Sequence, residues 1–257
     1  MTWPFLEHPR PFGFAHRGGT TIAPENTEAA FAHAVSLGYR YLETDVRATA
    51  DGVLVAFHDS TLDRVAGVSG AVEEMTWAEL CSVTFDGHSI PRFDALIRQF
   101  PDVRWNIEPK GPTSVEFLIE LIETEDLIDR ICVGSFHEER IKQMADHFGP
   151  RLCRSAVPKE VFKSLVAAFF YPKWKPPFGV LQVPTNYGPI PLATKFLVRR
   201  FHKLGLQVHI WTINDRDDME KLLDIDIDAI MSDEVETLRD VLQTRGRWPG
   251  SEIGYEK

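Results

Sequence analysis

Cysteine is scarce: Cys81, Cys132 and Cys153 are the only three in 257 residues, an odd number without C-x-x-C spacing. That excludes a disulfide framework and a cysteine zinc site, and leaves three reduced, mostly buried thiols as the expectation. Positive charge is short as well, with 28 Lys and Arg against 38 Asp and Glu and a formal charge of −10. Such a chain repels a phosphate backbone at long range, so nucleic acid is excluded as a partner and an anionic ligand must meet local positive charge. No apolar run approaches the roughly 20 residues that cross a bilayer, the densest being the short stretch from Leu165 to Tyr171. The first residues, Met1 to Phe14, are interrupted by Pro4, Glu7, Pro9 and Pro11, where a secretory leader needs an unbroken apolar segment. The expectation is a cytoplasmic protein without a transmembrane segment, touching a membrane surface only transiently if at all. Internal repeats and low-complexity segments are also missing.

What is present is a globular composition, 44% hydrophobic and 26% charged, in a chain close to the roughly 250 residues of a (β/α)₈ barrel. Short runs rich in β-branched and aromatic residues alternate with segments of helical period, the pattern of a parallel sheet with crossover helices. Eight strands are expected near Phe12 to His16, Tyr41 to Val46, Val103 to Glu108, Ile131 to Ser135, Leu152 to Ala156, Gly179 to Val183, Gln207 to Thr212 and Asp228 to Ser232. Helices fit Thr27 to Leu37, Arg92 to Phe100, Ser114 to Glu123, Glu138 to His147, Lys159 to Phe170, Thr194 to Leu204, Asp217 to Leu223 and Glu234 to Thr244. The segment from Ala48 to Gln99 is too long for one connection, and Asp51-Gly52 before Val53 to Phe57 signals a hairpin. The fold expected is thus an α/β TIM barrel, one domain over residues 1–257, with a small insertion after the second strand at about residues 59–92.

Strands covered on both sides should be nearly all apolar, so charge at their ends asks for a reason. Glu43 and Asp45, two residues apart, leave the same face of an extended strand, and Glu108 with Lys110 closes the third strand. Crowded carboxylates repel unless a cation neutralises them, and a purely oxygen donor set favours Mg²⁺ or Ca²⁺ over zinc. The competing reading gives these acids only salt bridges with Arg17, Arg47 and Lys110. His16 and His58 are two groups able to exchange protons near neutral pH beside that cluster. His33, His147 and His202 fall in helical segments and read as structural. Arg17 and Lys110 supply fixed positive charge for a phosphate.

His16-Arg17-Gly18-Gly19 with Pro24-Glu25-Asn26-Thr27, Glu43-Thr44-Asp45-Val46, and His58-Asp59-Ser60-Thr61-Leu62-Asp63-Arg64 together resemble the glycerophosphodiester phosphodiesterase family. The match runs on through Ile90-Pro91, Asn106-Ile107-Glu108-Pro109-Lys110, Ser135-Phe136, Trp211-Thr212-Ile213-Asn214 and Met231-Ser232-Asp233, in order over almost the whole chain. The resemblance implies metal-dependent hydrolysis of glycerophosphodiesters to glycerol 3-phosphate and an alcohol. Glu43, Asp45 and Glu108 would hold the metal, His16 and His58 would be the acid–base pair, Arg17 and Lys110 would hold phosphate, and Trp211 would line the substrate cleft. It also implies attack on phosphorus by a substrate hydroxyl through a cyclic intermediate. A lysophospholipase D or a cyclising lyase acting on lysophospholipids is the alternative; a non-catalytic binding barrel would be expected to have lost one of these groups. Phe169, Phe170, Tyr171, Trp174 and Phe178, strung with Lys173 and Lys175, fit either a lipid contact or a helix end packed on the barrel. Asn26 or Thr27 is expected to cap the first long helix, with Glu25 in the turn or orienting a catalytic side chain.

Overall fold

The β-branched and aromatic runs form extended chain and the amphipathic segments form helix, as the periodicity requires. In the computed structural model residues 3–248 are described, so residues 1–2 and 249–257 of the expected domain lie outside the described residues. The strands are β1 (Phe12–Ala15), β2 (Tyr41–Ala48), β3 (Leu54–Ala56), β4 (Thr84–Phe85), β5 (His88–Ser89), β6 (Arg104–Pro109), β7 (Ile131–Val133), β8 (Val180–Val183), β9 (Asn186–Tyr187), β10 (Ile190–Pro191), β11 (Gln207–Ile210) and β12 (Ala229–Ser232). The helices are α1 (Glu28–Ser36), α2 (Asp63–Ala66), α3 (Trp77–Leu80), α4 (Phe93–Gln99), α5 (Pro112–Thr124), α6 (Glu138–Phe148), α7 (Pro158–Phe170), α8 (Lys195–Lys203), α9 (Arg216–Leu223) and α10 (Val235–Thr244).

The main sheet runs β7-β6-β2-β1-β12-β11-β8, its neighbours parallel, with β3 added antiparallel to β2 through the Asp51-Gly52 turn. This is an α/β fold around a parallel sheet. The expected fifth strand, Leu152 to Ala156, survives as two parallel bridges, Val133 to Arg154 and Ser155 to Val180. Its backbone bonds to both neighbours, Ser155 N–H to the Val133 carbonyl and Ala156 N–H to the Val180 carbonyl, so pairing passes from β7 to β8. The first strand stops before His16, because His16 to Gly18 turns in a 3₁₀ helix.

Apolar burial divides into three clusters. Inside the curved sheet Phe12, Phe14, Tyr41, Cys132, Cys153, Val180, Ala229 and Met231 meet Trp3 and Phe5 from the chain's first described turn. Outside it the helices pack on the sheet in the largest cluster, including Phe31, Leu42, Trp105, Leu118 and Leu238. The third comprises Val55 of β3 and Phe57 just after it with Leu62, Val72, Leu80, Phe85 and Ile90, so residues 59–92, with α2, α3 and the β4–β5 hairpin, pack their apolar side chains on β3. Cys132 and Cys153 are buried free thiols as expected, whereas Cys81, the residue that follows α3, is exposed. No helix among the described residues is long and apolar enough to cross a membrane.

Candidate active site

Alternation along β2 puts Glu43 and Asp45 on one face and both are buried, at 6% and 2% exposure. The parallel register sets Asp45 beside Glu108 and Glu43 beside Asn106, and Asn106 Oδ1 accepts from Gln182 Nε2 at 2.7 Å. These carboxylates stand at the end of the sheet where the strands deliver their C-termini, the end at which βα connections can carry chemistry.

The turn after β1 brings His16 and Arg17 to the same end. Arg17 takes left-handed backbone, φ 51°, followed by Gly18 at 83° and Gly19 at 87°. A Cβ on Gly18 would stand 2.9 Å from the Phe31 ring and one on Gly19 2.7 Å from Val235, so the two glycines answer both to positive φ and to close packing. The turn aims the Arg17 N–H at Glu43 Oε2, 3.0 Å away. His16 Nδ1 lies 2.7 Å from Asp233 Oδ1 and its Nε2 3.7 Å from Glu43 Oε2. Asp233, just past β12, is steadied in turn by Asn214 Nδ2 donating at 2.8 Å.

His58, following β3, repeats the arrangement: its Nδ1 is 2.6 Å from Asp59 Oδ1. With a carboxylate accepting at Nδ1, the proton sits there and Nε2 is the ring nitrogen left for chemistry. Asp59 is gripped by Arg64 Nε, Arg64 Nη2 reaches Glu25 at 2.6 Å, and Glu25 accepts from Arg17 Nη1 at 3.0 Å. The support of His58 is thereby tied by a chain of ion pairs to Arg17, whose own backbone N–H bonds Glu43.

Charge crowding sets the protonation. Burial pushes the Glu43 carboxyl up to about 7, with His16 pulling it back and Asp45 adding to the rise. Burial also opposes ionisation of Asp45, yet Lys110 and Arg17 outweigh it and hold Asp45 below the usual carboxylate range, with His58 contributing in the same sense. Burial works against a charged His16, but Glu43 and Asp233 win and raise its pKa. Lys110 Nζ stands between Asp45 at 3.0 Å and Glu108 at 2.8 Å. Arg17 Nε is 3.1 Å from Asp45 Oδ2 but misaligned, and it is a buried N–H without a hydrogen bond.

His16, Arg17, Glu43, Asp45, His58, Glu108 and Lys110 are therefore linked directly or through the field at Asp45. Trp211 follows β11 at the same side, half-buried and edge-on to the exposed Phe136 at 5.8 Å. Among the described residues no group of three or more His, Cys, Asp and Glu is arranged to hold a metal ion; Lys110 occupies the space between two of the expected ligands. Arg47 bonds Glu73 and the His58 carbonyl, away from the paired acids. His33, His147 and His202 pair with Glu236, Glu123 and Asp228, in line with structural roles.

Three supports escaped the sequence reading. Asp233 and Asp59 as imidazole partners could have been suspected only from an acid adjoining a histidine or closing the last strand. Asn26, a candidate cap, instead adopts φ 57° and donates to Asp45 Oδ2 at 3.2 Å, while Thr27 Oγ1 caps α1 through Ala30 N–H. A cleft of about 1170 Å³ lies at the opposite end, lined by Arg10, His202, Gln207, Asp228 and Arg245. Its polar groups already face each other, Arg10 and His202 both meeting Asp228, so size alone does not make it the reactive end.

Paired imidazoles, crowded acids and two fixed cations at the strand ends of an α/β fold define a phosphate-ester hydrolase by class. Residues 16–237 match the glycerophosphoryl diester phosphodiesterase family. The chain belongs to that family. A probable glycerophosphodiester phosphodiesterase 2 of Mycobacterium tuberculosis is 38% identical over 254 residues, 96% of each chain. The solved glycerophosphodiester phosphodiesterase of Agrobacterium tumefaciens superposes with a TM-score of 0.73 at 25% identity, covering 90% of this chain and 99% of its own. A phosphodiesterase of Oleispira antarctica, solved in complex with the product sn-glycerol-3-phosphate, gives 0.73 at 22% identity, covering 91% and 97%.

Proposed function

We propose that this chain is a divalent-cation-dependent glycerophosphodiester phosphodiesterase that releases glycerol 3-phosphate and an alcohol in the cytoplasm. Family membership and a close relative of that name support the reaction, and two neighbouring buried thiols left unbonded fit a reducing compartment. The scaffold is read as a single (β/α)₈ barrel over residues 1–257, on the strength of the bridges through Arg154 and Ser155, with residues 59–92 as a small insertion after β2.

The observation that carries the mechanism is the pair of imidazoles, each with Nδ1 on a carboxylate. One accepts at Nε2 the proton of the attacking hydroxyl, and the other donates from Nε2 to the departing oxygen. Arg17 and Lys110 hold phosphoryl oxygens, the unbonded Arg17 Nε–H being a donor that lacks an acceptor. Trp211 and Phe136 line the approach.

The donor set of Glu43, Asp45 and Glu108 would fit a hard cation such as Mg²⁺ or Ca²⁺: all three donors are oxygen, and Glu43 and Asp45 are buried side by side on one strand face. Such an ion, held by these three carboxylates, would supply positive charge to a phosphoryl oxygen and would favour the ionised form of Glu43, with Lys110 beside it to hold phosphate.

The test is a substrate panel of glycerophosphocholine, glycerophosphoethanolamine and lysophospholipids with Mg²⁺ or Ca²⁺. Release of glycerol 3-phosphate that stops with chelator, and that falls about 10²–10⁴-fold in His16→Ala and Glu43→Ala, is the expected result. Turnover unaffected by either change would overturn the assignment. A lysophospholipase D would prefer the lysolipid members, and phosphorus NMR of the product distinguishes a cyclising lyase.

A further inference from the structure

Charge in this acidic chain is not evenly spread. Residues 158–203 contain eight Lys and Arg and a single acid, Glu160, whereas the whole chain is −10. That one acid is engaged by Arg154. The same segment carries seven of the ten exposed large hydrophobic side chains among the described residues: Phe162, Phe169, Phe170, Tyr171, Tyr187, Ile190 and Phe196.

These features coincide in space as well as in sequence. Phe162 and Phe169 are seven residues apart on α7, hence on one outward face. Phe169 meets Phe170 at 6.3 Å and Phe196 of α8 at 5.6 Å, and the Arg200 guanidinium lies over Phe169 at 6.0 Å and Phe196 at 5.2 Å. Just beyond, Lys163 Nζ sits 4.9 Å from the Trp174 ring, with Lys173 and Lys175 exposed on either side of Trp174. None of Lys163, Lys173, Lys175 and Arg199 has an ion-pair partner among the described residues. Aromatic rings at 49–75% exposure beside unneutralised cations do not serve a core. An acidic or neutral water-facing surface would leave both uncompensated.

We propose that the face formed by the end of α7, the loop to β8 and the start of α8 docks on an anionic lipid surface. The rings enter the headgroup region while the lysines and arginines meet lipid phosphates, and the −17 borne by the rest of the chain orients this face toward the membrane. Charge complementarity selects this occupant over a second copy, because two such faces would set Lys163, Lys173, Lys175, Arg199 and Arg200 against the same cations. The proposal goes beyond the chemistry at the strand ends and does not depend on it, since docking is read without turnover.

The experiment is co-sedimentation of the full chain with vesicles of phosphatidylcholine alone and with about one third phosphatidylglycerol, at low and at roughly 0.5 M salt. Binding to anionic vesicles is expected to exceed that to neutral ones at least ~10-fold and to be lost at high salt. Phe170→Ser/Tyr171→Ser and, separately, Lys163→Ala/Lys173→Ala/Lys175→Ala should each reduce it about 10-fold or more, with thermal unfolding unchanged. Equal or absent binding to the two vesicle types by the native chain overturns the proposal, as does retention of binding in both well-folded variants. So does sedimentation equilibrium showing a dimer that Phe170→Ser/Tyr171→Ser dissolves.

Discussion

At the scale of the residue, the groups proposed to do the chemistry stood out because their types are costly anywhere else: charged side chains at the ends of buried strands. The groups that position them did not, because an aspartate beside a histidine or after a strand is commonplace until geometry joins them. Arg64 is the clearest case. It is about half exposed, yet its Nε holds Asp59 behind His58 while its Nη2 holds Glu25 behind Arg17. The fork spans two carboxylates, which an ammonium cannot copy. Arg64→Met is therefore expected to lower kcat about 10–100-fold with KM changed much less, and Arg64→Lys to recover little. Steady-state kinetics beside a melting curve decide it; a loss of kcat that follows a collapse in Tm would reduce Arg64 to a stability residue.

Among the elements, the parallel strands and their helices followed from periodicity, and the hairpin at Asp51-Gly52 from its turn signal. The β4–β5 hairpin and the β9–β10 hairpin were not foreseen, since two-residue strands are too short for any alternation to register. Asp86-Gly87, with φ 49° and 79°, carried the turn signal without flanking pattern. The segment 59–92 is held on Val55 of β3 and Phe57 by the third apolar cluster, in which Leu62 and Leu80 are fully buried. Leu80→Ala opens a cavity there at a cost of about 2–5 kcal/mol. Because that cluster is distinct from the helix–sheet core, the loss should be local: faster hydrogen exchange in 59–92 and a fall in kcat through His58, with the main unfolding transition little moved. Exchange unchanged in 59–92 alongside a lowered main transition would show that the segment folds as one with the sheet.

The whole molecule places a titratable ring where stability rather than catalysis should register pH. The charge total hid the basic face, because a sum carries no positions; likewise His209 could be seen on a strand without any sign of which way it pointed. It points inward, between Phe12 and Phe14 at ring distances of 5.4 and 5.3 Å, with Nε2 near Gln207 and Nδ1 unpaired. Burial lowers its pKa from 6.5 to about 4, Asp228 opposing the shift and Arg10 adding to it. Its folded form thus resists a proton that the unfolded chain accepts below 6.5, so the stability is fully present above that value and drains away as pH falls toward about 4. The loss amounts to about 3 kcal/mol over that window. Asp228, held below the usual carboxylate range against its burial by His202 and the Val208 N–H, contributes stability that goes only at still lower pH, so the two effects separate. Urea unfolding at pH 7 and pH 4.5 should show His209→Phe losing about 2–3 kcal/mol less than the native chain between those values. An identical pH slope in both proteins would mean that the ring takes up its proton inside the fold without penalty, and the dry, aromatic interior described for the sheet could not then be right.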